Sequence, residues 1–126
     1  MNRAKLYLWI ILVSFVMSGS VEGAFGVAGQ TMNEFALAHM FVLMVLGFSW
    51  CNAHADSRGI KAPRAAAFWV ALLPIVGVPL YFFRSMQWRH AAWSSVQALG
   101  FWLVCLAAYA AGSYVGTVLD WLIGRL

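Results

Sequence analysis

Residues 72–84 read LLPIVGVPLYFFR, an apolar run with two prolines and a glycine that ends on an arginine. Two structures fit this stretch. It can belong to a helix that crosses a membrane with a kink, or to a re-entrant segment that enters the membrane and returns. The choice decides on which side of the membrane the following basic residues lie.

The composition indicates that the solvent of this chain is lipid. Of its 126 residues, 63% are hydrophobic and 10% are charged, whereas about 25% of the residues of a soluble domain are charged. A membrane-spanning helix needs about 20 largely apolar residues, so the chain has room for four crossings. We therefore predict one all-α transmembrane domain over residues 1–126, with four helices at about 5–21, 35–51, 65–83 and 96–123.

The first apolar segment has the form of a signal peptide. Arg3 and Lys5 precede an apolar core, and the small residues Ser18 and Ser20 follow it. We predict that the segment is retained as the first membrane helix. The two cysteines, Cys51 and Cys105, have no ligand spacing, and we predict that both are buried free thiols.

Basic residues indicate which connections face the cytoplasm. Arg58, Lys61 and Arg64 lie within seven positions after the second helix, whereas residues 19–34 contain no Lys or Arg. The positive-inside rule then puts the first connection outside and the second one inside. We therefore predict a multi-pass protein with a cytoplasmic N-terminus.

The kinked crossing and the re-entrant segment place Arg84 and Arg89 on opposite sides of the membrane. A crossing divides the basic residues six inside to two outside, and a return divides them seven to one, so charge favours the return. Length favours the crossing, because the 19 residues 65–83 span about 28 Å as a helix. Neighbouring helices can satisfy the carbonyls that Pro74 and Pro79 leave free. We predict a kinked crossing with Arg84 and Arg89 outside, and keep the re-entrant segment as the alternative.

Residues 55–84 combine a charged loop with a proline-containing apolar helix. The elements are an Asp and an Arg in the loop, a Pro and a Gly at mid-helix, and a Tyr and a basic residue at its end: Asp56, Arg58, Pro74, Gly77, Tyr81 and Arg84. In these elements the chain resembles small bacterial polytopic membrane proteins of unassigned function, and the amino-terminal membrane hairpin of phospholipase D-type cardiolipin synthases. The resemblance implies a lipid-contacting hairpin in a bacterial inner membrane. It does not imply catalysis, because the HxKxxxxD elements of that family are missing.

His39 is a candidate ligand, since ionisable side chains at membrane depth are functional candidates. Met40 and Met44 are near it in sequence, and His and Met bind copper and haem iron. We favour an interfacial hydrogen bond instead, because no second His lies inside an apolar run.

A second candidate ligand set is Cys51, His54 and Asp56, which lie within six residues. A structural zinc site generally has four ligands, and Asp56 is more simply a partner of Arg58 or a helix cap. We therefore predict no metal and no cofactor.

The basic residues are predicted to fix the topology and to contact anionic phospholipids, at about 1 kcal/mol for each one near the surface. The residues assigned to these roles are Arg58, Lys61, Arg64, Arg84 and Arg89. The net charge of +4 is scattered between apolar runs, so we predict no nucleic-acid binding.

Ala108, Gly112 and Gly116 recur every four residues on the last helix. This spacing lets another helix approach closely, and the partner is either a helix of the same chain or one of a different protein. We therefore predict a non-catalytic accessory, stabilising or assembly subunit of a larger membrane complex, or a homo-oligomer. The alternative is a small oligomeric transporter or channel. Transporters usually have polar or ionisable residues along a path, and between the helix ends this chain has only five: Ser14, His39, Ser49, Gln97 and Ser113.

Overall fold

The computed structural model describes residues 2–25, 30–61 and 64–125, without the side chains of residues 30–33 and 64. In this described part of the chain five helices follow one another: α1 Arg3–Phe25, α2 Gln30–Ser57, α3 Arg64–Leu72, α4 Pro74–Ser85 and α5 Trp88–Ile123. Three helical stretches are long and apolar enough to cross a membrane, namely Arg3–Phe25, Glu34–Ser57 and Trp88–Ile123. The predicted all-α membrane class is confirmed to this extent, and a fourth span is not.

The third apolar segment is divided at Leu73. A residue before proline is disfavoured in the α conformation, and Leu73 has a φ of −136° and a ψ of 77°. Pro74 then takes the first position of α4, where its missing N–H is not needed. The segment therefore forms helices of nine and twelve residues instead of one kinked helix. At 1.5 Å per residue they are about 14 and 18 Å long, too short to cross about 30 Å of hydrocarbon singly.

The two short helices fold back against each other at Gly77. A Cβ atom added to Gly77 would collide with the backbone of Trp69 and Val70. In one continuous helix Ala66 and Phe82 would be about 24 Å apart, but both belong to a single buried cluster. Together, α3 and α4 are therefore a helical hairpin that begins and ends at the same end of the molecule.

The turn of this hairpin satisfies its own backbone groups at Leu73. The N–H of Leu73 donates to the carbonyl of Trp69 at 2.9 Å. The carbonyl of Leu73 accepts from the N–H groups of Val76 and Gly77, at 3.0 and 2.6 Å. Unpaired backbone groups make a turn at membrane depth unfavourable, and at Leu73 both the N–H and the carbonyl are hydrogen-bonded.

Helix α1 runs antiparallel to α2 and parallel to α5. Near the start of α1, Ala4 shares a buried cluster with Ala55 from the end of α2. Further along, Gly112 of α5 faces the backbone of Val16, and the next small residue of α5, Gly116, faces the backbone of Ser20. The numbers of the facing residues on α1 and α5 rise together, so these two helices run in the same direction.

Two buried clusters form the core. The larger one joins α2 and the hairpin, and its fully buried side chains include Cys51, Val70 and Tyr81. The second one lies halfway along α1 and α5, around Ile11 and Cys105. Cys51 and Cys105 are free and buried, which confirms the prediction for the thiols.

The packing brings the start of α1, the end of α2, both ends of the hairpin and the start of α5 together, at what we call the basic end. Seven of the eight basic residues belong to it: Arg3, Lys5, Arg58, Lys61, Arg64, Arg84 and Arg89. The opposite end carries Arg125, Glu22, Glu34 and Asp120. The predicted separation of Arg84 and Arg89 from Arg58 is therefore corrected, because the hairpin returns to the end from which it starts.

Candidate functional site

A cavity of about 260 Å³ lies between all five helices and is partly open to the surroundings. Its volume is near the lower bound of ligand sites, which is about 300 Å³, and such sites are mostly apolar with a few polar groups. Apolar side chains from every helix make most of the wall. The polar lining residues are His54, Arg58, Ser94 and Gln97.

One face of α2 extends along the cavity. Leu43, Gly47, Trp50 and His54 line it at spacings of three and four residues, and Arg58, which directly follows α2, continues the series. Residues at these spacings share a helix face. The polar members lie at the basic end and the apolar members lie deeper. On α5, Ser94 and Gln97 also come from the first three turns, so the cavity has a polar mouth and an apolar interior.

His54 at the mouth is held by Tyr81. Its Nδ1 atom lies 3.0 Å from the hydroxyl oxygen of Tyr81, and Tyr81 is fully buried. A buried phenol needs an acceptor for its proton, and among the described residues Nδ1 of His54 is the acceptor atom within hydrogen-bond distance of it, which assigns the tautomer. Neutral His54 therefore carries its own proton on Nε2, for which the described residues provide no partner.

Aromatic rings fix the orientation of the His54 imidazole. The Trp50 and Phe82 rings lie at centroid distances of 5.3 and 5.8 Å from it. The buried indole N–H of Trp50 has no hydrogen-bond partner among the described residues. Its ring is edge-to-face with Tyr81 and Phe82, whose π faces are only weak acceptors.

Arg58 and Asp56 belong to different surfaces. Arg58 lines the cavity, whereas Asp56 lines a separate polar cleft with Arg3 and Asn52. Neighbours two apart do not face each other on a helix, and no ion pair between Asp56 and Arg58 is described. The lining of the cavity contains no carboxylate among the described residues, so its mouth is positively charged.

The other predicted headgroup residues belong to the same end of the molecule as this mouth. Lys61, Arg84 and Arg89 are exposed there. Arg64 begins α3, and its side chain lies outside the described residues. The hairpin thus brings together basic residues that the predicted crossing would have separated.

His39 joins α2 to α1. Its Nε2 atom lies 3.3 Å from the Ser14 hydroxyl, which itself donates to the carbonyl of Ile11 at 2.7 Å. The Ser14 oxygen is therefore the acceptor, and Nε2–H of His39 is the donor. This is the interfacial hydrogen bond that the sequence favours over a ligand role.

Replacing His39 and Ser14 by alanine, singly and together, should show a coupling free energy of about 0.6 kcal/mol, the average for hydrogen bonds between membrane helices. Unfolding in mixed detergent micelles measures it. If His39 instead bound a ligand, replacing it would change the free energy of unfolding by the same amount with and without the Ser14 hydroxyl.

The candidate metal ligands after α2 are separated in the structure. Cys51 is fully buried, His54 is bonded to Tyr81, and Asp56 is exposed on another surface. Across residues 2–25, 30–61 and 64–125, with the side-chain gaps given above, no group of three or more His, Cys, Asp or Glu is placed to hold a metal ion.

The few polar residues between the helix ends lie in different surroundings. Ser14 and His39 bond to each other, Ser49 lines the polar cleft, and Gln97 lines the cavity. The backbone of Ser113 packs against α1.

The small-residue stripe of α5 faces α1. Gly112 and Gly116 are buried against the α1 backbone, and Ala108, one turn earlier, is partly buried. The sequence allows a helix of the same chain or a helix of a different protein as the partner. In the structure the partner at both glycines is α1 of the same chain. The stripe is not a free surface for another protein there.

No family model, curated protein or solved structure matches the chain. The resemblance to the hairpin of cardiolipin synthases stays a prediction.

Proposed function

We propose that the protein is a non-catalytic integral membrane protein that holds an amphipathic lipid between its helices. The cavity is the observation that carries this proposal. Its apolar interior suits a hydrocarbon tail, and its mouth provides His54, Arg58, Ser94 and Gln97 for a polar head. Sites for small molecules combine these two properties in the same way.

The proposed membrane topology has three spans, α1, α2 and α5, and a re-entrant hairpin formed by α3 and α4. The basic end carries seven of the eight basic residues, so by the positive-inside rule it faces the cytoplasm. The N-terminus is then cytoplasmic and the end of α5 lies on the other side. We propose the bacterial inner membrane as the location.

Filling the cavity tests the proposed function. We choose Ala98→Phe, because Ala98 lines the cavity, and the control Ala107→Phe, because Ala107 is exposed on the same helix and does not line it. The probe is a phospholipid with a photoreactive diazirine in its acyl chain, and labelled peptides are identified by mass spectrometry. We expect Ala98→Phe to suppress labelling at Leu43 and Trp102, and Ala107→Phe to leave it unchanged. Equal labelling in both variants would contradict lipid binding in the cavity.

An accessory role in a larger membrane complex stays a prediction, as does the alternative of an oligomeric transporter. Gly112 and Gly116 do not support a separate partner, because α1 covers them. Purification in mild detergent tests the accessory role. Recovery in stoichiometric amounts with a larger assembly would support it, and a homo-oligomer with nothing attached would contradict it.

A further inference from the structure

We propose that the lipid in the cavity has an acidic, phosphate-bearing headgroup that Arg58 and His54 bind at the basic end. This inference rests on the proposed function and names the class of lipid. The observations that carry it are the donors at the mouth, the absence of a carboxylate from the described lining, and the length of the apolar interior.

The mouth of the cavity provides donors suited to phosphate oxygens. The guanidinium group of Arg58 presents a planar fork of N–H groups that matches a phosphate. His54 lies four positions earlier, on the same face of α2. Because Tyr81 engages Nδ1 of His54, the Nε2–H is the group that is free to donate. A headgroup with several acceptor oxygens satisfies both residues.

A headgroup with a net negative charge is favoured over a zwitterionic one. The described lining has no carboxylate that could pair with a choline or ethanolamine cation. The nearby carboxylate, Asp56, lines the separate cleft.

The lining of the cavity extends about half-way across a hydrocarbon core. Along α2, His54 lies 11 positions after Leu43, a distance of about 16 Å. Half of a hydrocarbon core of about 30 Å is about 15 Å. A lipid whose phosphate lies at His54 therefore has the chain length to reach the apolar wall at Leu43 and Trp102.

Two charge-neutralising variants separate a bound headgroup from general surface attraction. Arg58→Gln removes a charge that lines the cavity, and Lys61→Gln removes one from the neighbouring exposed loop residue, which does not line it. The probes are phosphatidylglycerol and phosphatidylcholine with the same diazirine-bearing chain. Labelling at Leu43 and Trp102 is compared for the full chain in detergent micelles.

We expect phosphatidylglycerol to label these sites about fivefold more than phosphatidylcholine, the factor given by one basic residue at a membrane surface. Arg58→Gln should abolish the preference, Arg58→Lys should keep part of it, and Lys61→Gln should leave it unchanged. Labelling should be the same in inorganic phosphate as in chloride at equal ionic strength, because the acyl chain holds the probe in the cavity and free phosphate has no such chain.

Three results would overturn this inference. Equal labelling by the two lipids would exclude headgroup selection while leaving lipid binding in place. An equal loss of preference in Arg58→Gln and Lys61→Gln would assign it to surface charge. Displacement of the probe by phosphate would make free phosphate, and not a lipid headgroup, the preferred ligand of Arg58 and His54. Failure of both lipids to label the cavity would instead contradict the proposed function.

Discussion

Gly77→Ala is expected to destabilise the protein by about 3 kcal/mol, in the upper part of the range for overpacked sites. The added methyl group would collide with the backbone of Trp69 and Val70. Backbone atoms cannot rotate away as a side chain can, so the two arms of the hairpin must separate. The measurement is the free energy of unfolding in mixed detergent micelles, followed by circular dichroism.

The matched control for this variant is Gly47→Ala. A Cβ atom at Gly47 would lie 3.5 Å from the Val70 carbonyl oxygen, which is an ordinary contact. Alanine also has a higher helix propensity than glycine by about 1 kcal/mol, so Gly47→Ala should have little effect or stabilise. If Gly77→Ala were as stable as the parent protein, the arms of the hairpin would not touch.

Gly112→Ala and Gly100→Ala should change the stability in opposite directions. Both glycines lie within α5. A Cβ at Gly112 would collide with the carbonyl oxygen of Val16, whereas a Cβ at Gly100 would have no atom of the described residues within 4 Å. We expect Gly112→Ala to lower the free energy of unfolding by about 2 kcal/mol, as overpacking does. Gly100→Ala should raise it by about 1 kcal/mol through helix propensity.

Unfolding of the two variants in the same micelles measures this contrast. The difference does not depend on helix propensity, because both substitutions gain the same amount from it. Stabilisation by both would mean that α1 does not cover Gly112, and the stripe would again be available to a different protein.

The sequence is sufficient to predict the membrane class and the close helix packing. Long apolar runs give three helices able to span, and the four-residue spacing of Gly112 and Gly116 marks a face without bulk. Segment length does not favour the hairpin, because a segment of 19 residues also has the length of one crossing. Its structure depends on the conformation of Leu73 before proline and on the contact of Gly77 with the preceding helix. Neither is encoded in segment length.

The sequence does not predict the candidate cavity, although it contains part of the signal for it. Gly47, Trp50, His54 and Arg58 lie at helical spacing, so one face of α2 carries an apolar stretch followed by two polar residues. The pairing of His54 with Tyr81 had no local signal, because these residues are 27 positions apart and meet only through the hairpin. The basic residues were recognised, but their common location depends on the same fold.

The central claim is that the chain turns back at Leu73, so that α5 begins on the side where α1 begins. Ser57→Cys, Gln87→Cys and Gly124→Cys test this claim, because all three positions are exposed near helix ends. None of the three substitutions changes a charge. Each is placed in a protein whose two buried cysteines are replaced by alanine, and cells are treated with a membrane-impermeant maleimide. We predict that Gly124→Cys is labelled in intact cells, and that Ser57→Cys and Gln87→Cys are labelled only after permeabilisation. Labelling of Gln87→Cys in intact cells, with Gly124→Cys protected, would contradict the hairpin and establish a fourth crossing.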